Sequence, residues 1–395
     1  MFGTAACGSA PSPVAWAPVD IPVPTGATGG MYSLAADRRD GALLSWLEPS
    51  QAGRVLRFAF LDGHTWGAPR TITEGRHLFS NWADHPSVAV QPDGTLLAQW
   101  PVINDGPQPP GSYNNSMRIA LSHDRGLHWT EVYADGLDNT HSYTGFVSLL
   151  PTPAGAHAVY LSPPRPISHD PLDHRMTLSH AAFDAHGTKV TSGVIDGDTC
   201  SCCPTAMGLT GAGPIAAYRD HEPGEIRDIA IVRFVNGAWT PPATVHRDGW
   251  EINGCPTNGP SIGATGARVA VAWFTAAAGE PRVKLAFSQD SGATFGAPIQ
   301  IDGQESLGRT ATVLLQDGSA VVAWLASPVG TNDAVLRIRR VAATGTAGPV
   351  VVVGPAAPGR VSGMPQLVEI GDQLLTAWRG AGEQLRTVLL PIPSL

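Results

Sequence analysis

One short pattern recurs along the whole chain and constrains its fold more than any other feature. An apolar, alternating segment ends in an aromatic residue seven times, at Trp46, Trp100, Tyr160, Tyr218, Trp273, Trp324 and Trp378. The spacings between these positions are 54, 60, 58, 55, 51 and 54 residues, which suits four short strands and their turns. A unit repeated at this period is typical of a β-propeller. The sequence therefore predicts an all-β fold: a single propeller of seven four-stranded blades, with six blades as the alternative.

Composition supports this fold class and excludes several others. The chain has 45 glycines and 35 prolines among 395 residues, and both residue types break helix interiors, so a helical bundle is excluded. The net charge is -8 and the only lysines are Lys189 and Lys284, so we expect no nucleic-acid partner. The sequence contains no apolar run of about 18 residues, so we expect no transmembrane segment.

The two ends of the chain are predicted to close the ring of blades together. The seventh unit ends after its third strand, near residues 387–391, whereas residues 15–21 resemble the fourth strands of other units, such as residues 65–70 and 238–242. Pairing of the two ends would supply the missing strand and cover exposed sheet edges. We therefore predict one propeller domain over residues 15–395, preceded by a tail of residues 1–14.

The tail carries an isolated cysteine in the segment Thr4-Ala5-Ala6-Cys7-Gly8. Small residues before a cysteine are similar to the end of a bacterial lipoprotein signal, which makes Cys7 a candidate lipid anchor. A chance cysteine in a tail is the alternative. The other four cysteines form an even set, which is typical of an oxidising compartment. We therefore expect an exported protein, periplasmic or extracellular, and we keep a lipoprotein as one form of it.

Two turns carry a sharper motif, Ser-x-Asp-x-Gly-x-x-aromatic, over residues 122–129 and 288–295. The carboxylates of Asp124 and Asp290 can accept backbone N–H groups inside the turn, and the glycine supplies a positive φ. The aromatic residue can pack back into the blade. The motif therefore predicts a structural role for both aspartates.

These turns resemble those of the Asp-box (BNR repeat) propellers, the superfamily of the sialidases. The resemblance implies binding or hydrolysis of an acidic glycan on the face that carries the loops leading into the inner strands, called the top face below. It also implies arginines that hold the substrate carboxylate and a tyrosine nucleophile. The residues that fit these roles are Tyr218 as nucleophile, Glu225 as its base, Asp84 and Asp220 as acid/base candidates, and Arg219, Arg227 and Arg309 as substrate-binding arginines. The chain departs from the family in lacking an Arg-Ile-Pro motif near its N-terminus and in its seven predicted blades.

Four cysteines lie in two loops that precede equivalent strands of adjacent units. Cys200, Cys202 and Cys203 lie in one loop and Cys255 in the other, so we expect the four to be close. They could form two disulfides, one joining the loops through Cys255. They could instead bind copper or zinc, with His85 and His141 from neighbouring top-face loops completing the site. The sequence leaves both hypotheses open, with free thiols as a third alternative.

Two functional hypotheses follow. The first is a propeller that binds or cleaves an acidic glycan on its top face, as a glycoside hydrolase of sialidase type. The second is a non-catalytic exported propeller that binds a metal ion through the Cys/His cluster. Aromatic residues in the top-face loops favour a ligand over a purely structural role, because exposed aromatic rings are typical of sugar or partner binding. Among them are Trp82, Tyr113 and Tyr143, and Trp250, which we assign to substrate binding.

Overall fold

The computed structural model describes residues 18–27, 31–37, 41–105, 114–135, 143–164, 175–303, 305–392 and 395. The predicted tail of residues 1–14, with Cys7, lies outside the described residues. So do the candidate ligand His141 and the top-face aromatic residue Tyr113. None of the helices in these ranges is long and apolar enough to cross a membrane.

The described residues form seven antiparallel sheets, which confirms the prediction of an all-β propeller with seven blades. The first strand in the chain is β1 (Val19–Ile21). Blade 1 consists of β2 (Tyr32–Asp37), β3 (Gly41–Ser50), β4 (Gly53–Asp62), β5 (Thr65–Trp66) and β6 (Arg70–Gly75). Blade 2 consists of β7 (Ser87–Val90), β8 (Leu96–Ile103), β9 (Asn115–Ser122) and β10 (Thr130–Asp135). Blade 3 consists of β11 (Gly145–Thr152), β12 (Gly155–Ser162), β13 (Met176–Asp184) and β14 (Lys189–Thr199).

The remaining four blades follow in chain order. Blade 4 consists of β15 (Ala206–Thr210), β16 (Gly213–Arg219), β17 (Ile229–Val235), β18 (Ala238–Trp239) and β19 (Ala243–His246). Blade 5 consists of β20 (Ser261–Thr265), β21 (Arg268–Thr275), β22 (Arg282–Ser288) and β23 (Ile299–Gln300). Blade 6 consists of β24 (Ser306–Leu314), β25 (Ala320–Ala326), β26 (Ala334–Val341) and β27 (Ala347–Ala356). Blade 7 contains β28 (Gln366–Ile370), β29 (Gln373–Arg379) and β30 (Leu385–Pro391), and two short 3-10 helices cover Ala277–Gly279 and Gly359–Ser362.

The seven repeated aromatic residues form the packing between blades. Each lies in the second half of the second strand of its blade, and all seven are at most 6% exposed. Trp378 of blade 7, for example, packs into a cluster with Ala323 and Ile338 of blade 6, and its indole N–H donates to the carbonyl of Pro355 at 2.9 Å. Large rings buried between neighbouring sheets explain why the period of the aromatic residues matches the period of the blades.

The N-terminal strand closes the ring, as predicted. β1 pairs antiparallel with β30, with Val19 opposite Leu389 and Ile21 opposite Thr387. The Thr387 hydroxyl donates to the Ile21 carbonyl at 2.6 Å, and Arg386 pairs with Asp20. The last blade therefore gains its fourth strand from the other end of the described chain, which leaves no unpaired edge on β30.

The two aspartate turns have the local hydrogen bonds that their chemistry predicts. In the second turn, Asp290 Oδ1 accepts the Thr294 N–H at 2.9 Å and the Ser288 hydroxyl at 2.7 Å. Hydrogen bonds from the Thr294 side chain and backbone lower the pKa of Asp290 to about 2. In the first turn, Asp124 Oδ1 accepts the N–H groups of Leu127 and His128, and the pKa of Asp124 is lowered mainly by the His128 backbone hydrogen bond. Both carboxylates therefore hold their turns in the ionised form.

Asp290→Ala is expected to lower the free energy of unfolding by about 1 kcal/mol at pH 7, the usual cost of losing a carboxylate that caps backbone N–H groups. The folded-state pKa lies below the unfolded value of about 3.9, so the stabilisation is present above pH 4 and is lost as the pH falls towards 2. The free energies of unfolding of the unmodified protein and of Asp290→Ala, measured by urea titration, should therefore become equal at low pH. Asp333→Ala is the control, because this exposed carboxylate makes no hydrogen bond with the described residues. An equal loss in both variants would contradict the capping role.

Candidate functional site

The top face surrounds a central cavity of about 430 Å³. All seven blades contribute their inner strands or the residues just before them to its lining. The candidate residues Asp84 and His85 line it, and so do Phe146 and Met364. Because the loops that lead into inner strands meet at one mouth of the channel, residues from distant parts of the sequence converge there.

Asp84 lies at this mouth in a loop that is fixed by its own polar residue. The Asn81 side-chain oxygen accepts the N–H groups of Ala83 and Asp84, both at 2.8 Å. Asp84 is 2% exposed, and its carboxylate accepts the Tyr143 hydroxyl at 2.6 Å and the Phe146 N–H at 2.9 Å. Burial raises the pKa of Asp84 to about 6, against the opposing effect of these two hydrogen bonds. A carboxylate and a phenol therefore form a short, direct pair at the channel.

His85 follows directly in the chain and also lines the cavity. Its Nδ1 lies 3.1 Å from the Pro86 carbonyl, and burial lowers the pKa of the imidazole. The Gln99 side chain donates to the His85 carbonyl at 2.8 Å and so fixes this segment to the neighbouring strand β8. His85 is therefore a neutral polar group next to the Asp84–Tyr143 pair.

Two arginines lie over the ring of Trp82, two residues before Asp84. The guanidinium carbon of Arg309 is 4.6 Å from the ring centroid and that of Arg360 is 5.9 Å from it. Arg309 Nη1 donates to the Gly359 carbonyl at 2.7 Å and to the Ser362 hydroxyl. Burial lowers the pKa of Arg309 to about 10, and the adjacent charge of Arg360 adds to the effect. Within the described residues, neither arginine has a carboxylate within 4.0 Å, so this part of the rim carries uncompensated positive charge.

A second polar group lies between blades 3 and 4. The Tyr218 hydroxyl donates to Asp196 Oδ2 at 2.5 Å, and Tyr218 is 1% exposed. Burial raises the pKa of Tyr218 far above its usual value, and the charges of Asp220 and Asp196 act in the same direction. Burial and the charge of Asp196 also raise the pKa of Asp220, to about 7. Asp220 therefore retains its proton more readily than an exposed carboxyl group does.

A chain of ion pairs follows on the adjacent loop. His221 Nδ1 lies 2.9 Å from Asp198 Oδ1, and His221 Nε2 lies 3.4 Å from Glu225 Oε1. Arg227 Nη2 donates to Glu225 Oε2 at 2.6 Å, and this hydrogen bond lowers the pKa of Glu225. Glu225 thus contacts His221 and Arg227, while Tyr218 contacts Asp196.

Arg219 is held by the main chain of two neighbouring blades. It is 2% exposed, and its guanidinium donates to the carbonyls of Asn258, Arg227 and Phe274 at 2.5–3.0 Å. The guanidinium carbon lies 4.8 Å from the centroid of the Trp250 ring. Trp250 is itself 6% exposed. Both residues lie beneath the rim, where their contacts join the loops that carry the cysteines.

The two cysteine loops meet as the sequence predicted, and a disulfide joins Cys202 to Cys255 with a Cα–Cα distance of 5.9 Å. Cys200 and Cys203 are buried thiols with their sulfur atoms 3.4 Å apart. The hydrogen bond between the two thiols lowers the pKa of Cys200, and the positive charge of Arg219 and the hydrogen bond from Arg227 act in the same direction. Burial and the neighbouring Cys200 raise the pKa of Cys203. Cys200, Cys202 and Cys203 form the one group of candidate metal ligands within the described ranges, and His85 is not part of it.

No protein-family model and no curated protein matches this sequence. An ulvan lyase, a polysaccharide lyase of family PL25, aligns over 94% of this chain and 96% of its own with 12% identity and a TM-score of 0.58. An α-L-arabinofuranosidase from Fusarium graminearum aligns over 96% of this chain and 98% of its own with 14% identity and a TM-score of 0.51. A sialidase from Streptococcus pneumoniae aligns over 94% of this chain and 70% of its own with 12% identity and a TM-score of 0.45. These neighbours are glycan-acting propeller enzymes, and the likeness to the first two identifies the fold.

The residues that the sequence grouped as one site form two neighbouring sets. Tyr218, Asp220, Glu225, Arg227 and the cysteines lie around the loops of blades 3 to 5, whereas Asp84 and His85 line the channel and Arg309 lies over Trp82. One buried cluster joins the two sets, because it contains Tyr218 and packs against Trp82 and Tyr143. Sequence reasoning did not identify Asp196 or Arg360, and it treated Tyr143 only as a rim aromatic. Tyr143 could have been found by the argument that joined the cysteine loops, because Tyr143 and Asp84 both precede inner strands of adjacent blades.

Proposed function

We propose that this protein binds an acidic glycan at the top mouth of the channel and cleaves a glycosidic bond there with the Tyr143–Asp84 pair. The observation that carries the proposal is the adjacency of this pair to Trp82 and its two arginines. Trp82 is two residues from Asp84, and both Trp82 and Tyr143 pack against the same cluster of buried residues. The mouth thus combines an anion-binding surface, an aromatic ring and a group able to transfer a proton.

Charge and exposure argue for an anionic ligand. Arg360 is exposed and its guanidinium makes no hydrogen bond with the described residues, while Nε and Nη2 of Arg309 also have no partner among them. Arginine binds carboxylate and sulfate groups through paired N–H donors, and a sugar ring packs well against an indole. An ulvan lyase of the same fold has been solved with bound -[GlcA(1-4)Rha3S]-, a repeat that carries both a carboxylate and a sulfate. This supports a polyanionic sugar as the ligand.

The chemistry of the Tyr143–Asp84 pair suits bond cleavage. When Asp84 is ionised it accepts the proton of the Tyr143 hydroxyl, which makes the phenol oxygen a stronger nucleophile and base. A carboxyl group with a pKa of about 6 changes its protonation state close to neutral pH, which is where acid–base catalysis is most effective. Tyr218 is less suited to this role, because it is only 1% exposed whereas Tyr143 is half-buried, so a substrate can reach Tyr143 more easily. We therefore assign the reacting phenol to Tyr143.

The disulfide supports the localisation that the sequence suggested. Disulfides form and persist in oxidising compartments, and Cys202–Cys255 joins two loops of the top face. We propose an exported protein, with the lipid anchor at Cys7 remaining a prediction.

Arg360→Gln is expected to weaken binding of an acidic glycan by about tenfold, because one charged contact to a carboxylate contributes about 1–2 kcal/mol. The measurement is calorimetry with uronic-acid oligosaccharides and sialylated glycans, each compared with its carboxyl-reduced form. Product analysis of the same mixtures assigns the reaction, since elimination leaves an unsaturated uronyl end and hydrolysis does not. Arg268→Gln is the control, because Arg268 is the first residue of β21, directly after the turn that joins the first and second strands of blade 5 on the opposite face. Equal affinity for acidic and reduced glycans would refute the proposal.

A further inference from the structure

The cysteine cluster is distinct from the channel and is explained by neither the fold nor the proposed glycan function. None of its cysteines lines the central cavity. The Cys200 sulfur lies 3.4 Å from that of Cys203 and 3.9 Å from that of Cys202, and the three sulfur atoms are all within 4.8 Å of one another. The segment Cys-x-Cys-Cys thus directs three sulfur atoms to one point. One of the three, Cys202, is engaged by Cys255.

The surroundings of the cluster favour a negatively charged thiolate complex. Arg227 Nη1 lies 3.4 Å from the Cys200 sulfur, and the positive charge of Arg219 acts on both Cys200 and Cys203. Two or three thiolates around a monovalent cation carry a net negative charge, which these guanidinium groups would balance. Cys200 and Cys203 are 1% and 2% exposed, so water has little access to the sulfur atoms. Soft thiolate ligands in such a site select Cu(I) over hard cations.

We propose that reduction of the Cys202–Cys255 disulfide opens a Cu(I) site formed by the thiolates of Cys200, Cys202 and Cys203. In the first step a thiol reductant donates two electrons and two protons to the disulfide, which yields two cysteine thiols and the oxidised, disulfide form of the reductant. In the second step Cu(I) binds and the ligating thiols release their protons to solvent. The disulfide therefore acts as a gate, since it withholds one of three ligands and joins the loop to blade 5.

The test measures Cu(I) uptake by the full chain, without oxygen, in competition with a chromophoric Cu(I) chelator. Protein with the disulfide intact is compared with protein that has been reduced with a phosphine and desalted. The reduced protein is expected to bind one Cu(I) per chain at least tenfold more tightly than the oxidised protein. Equal affinities, or no uptake by reduced protein, would overturn the proposal.

Variants separate the ligands from the gate. Cys255→Ser cannot form the disulfide, so without any reduction it should bind Cu(I) as tightly as the reduced unmodified chain. Cys202→Ser also lacks the disulfide but loses a ligand, so before and after reduction it should bind at least tenfold more weakly than the reduced unmodified chain. Cys7→Ser is the matched control and should behave as the unmodified chain.

A spectroscopic measurement on the unmodified chain avoids any dependence on the folding of the variants. X-ray absorption at the copper edge should show a shell of three sulfur atoms. A nitrogen or oxygen shell would contradict the proposal and would indicate imidazole ligands instead. None of these readouts depends on glycan cleavage, so this proposal and the proposed function can fail separately.

Discussion

Tyr143→Phe is expected to lower kcat/KM for an acidic glycan by two orders of magnitude or more, because it removes the hydroxyl that donates to Asp84 at 2.6 Å. Proton transfer by a positioned side chain contributes about 10²–10⁴-fold to rate, and loss of a nucleophile costs at least as much. The phenylalanine ring keeps the apolar contacts that Tyr143 makes in its cluster. The loss is therefore expected in kcat, with KM nearly unchanged, and steady-state kinetics on the glycan identified by binding measures both.

Two other tyrosine variants make this prediction specific. Tyr133→Phe also removes one hydroxyl, which lies 3.3 Å from that of Tyr160 in the packing between β10 and β12, and it should leave kcat/KM unchanged. Tyr218→Phe removes the hydroxyl bound to Asp196 and should change kcat/KM by much less than Tyr143→Phe. If Tyr218→Phe were inactive and Tyr143→Phe active, the reacting phenol would be Tyr218, as the family resemblance implies, and the assignment to Tyr143 would be wrong.

The pH dependence of the same reaction tests Asp84. Its ionised form accepts the Tyr143 proton, so kcat/KM should rise with pH through an apparent pKa of about 6, the value to which burial raises the carboxyl group. Asp84→Asn cannot ionise and should remove this limb together with most of the activity. An unchanged acidic limb in Asp84→Asn would assign the titration to another group, such as Asp220, whose pKa burial raises to about 7.

The sequence predicted the features that depend on a periodic pattern. The seven aromatic positions indicated seven blades because each ring fills the same place between neighbouring sheets. The turns of Asp124 and Asp290 were predicted because their hydrogen bonds are local in sequence. The proximity of Cys202 and Cys255 was predicted because equivalent loops of adjacent blades meet on one face.

The direction of individual side chains was not predictable in this way. The sequence pairs Tyr218 with Glu225, seven residues away, but the hydroxyl reaches Asp196 on the outer strand of the preceding blade. The packing between two sheets decides this orientation, and no local pattern records it. The same limit applies to Arg360, which meets Trp82 from a loop at the other end of the sequence. A propeller brings its first and last blades together, so long separations in sequence become short distances at the mouth.

Arg219→Ala is expected to lower the free energy of unfolding by about 3–5 kcal/mol, although the sequence assigned Arg219 to the substrate. The side chain donates to three carbonyls, those of Arg227, Asn258 and Phe274, and is 2% exposed. Hydrogen bonds to a charged group contribute about 1.5–3 kcal/mol each, and the variant would leave these buried acceptors without their donor. The expected result is a large shift in the urea midpoint, measured by tryptophan fluorescence at neutral pH.

Two further variants show whether the loss at Arg219 comes from its geometry or only from its charge. Arg219→Lys keeps the charge but cannot reach three carbonyls with a planar fork, so it should recover only part of the stability. Arg247→Ala removes an arginine of the same blade whose side chain is 74% exposed and pairs with Glu222, and it should cost less than about 1 kcal/mol. Full recovery by lysine would mean that charge alone matters. A loss below about 1 kcal/mol in Arg219→Ala would return Arg219 to the substrate-binding candidates, because its donors would then be available to a ligand at little cost.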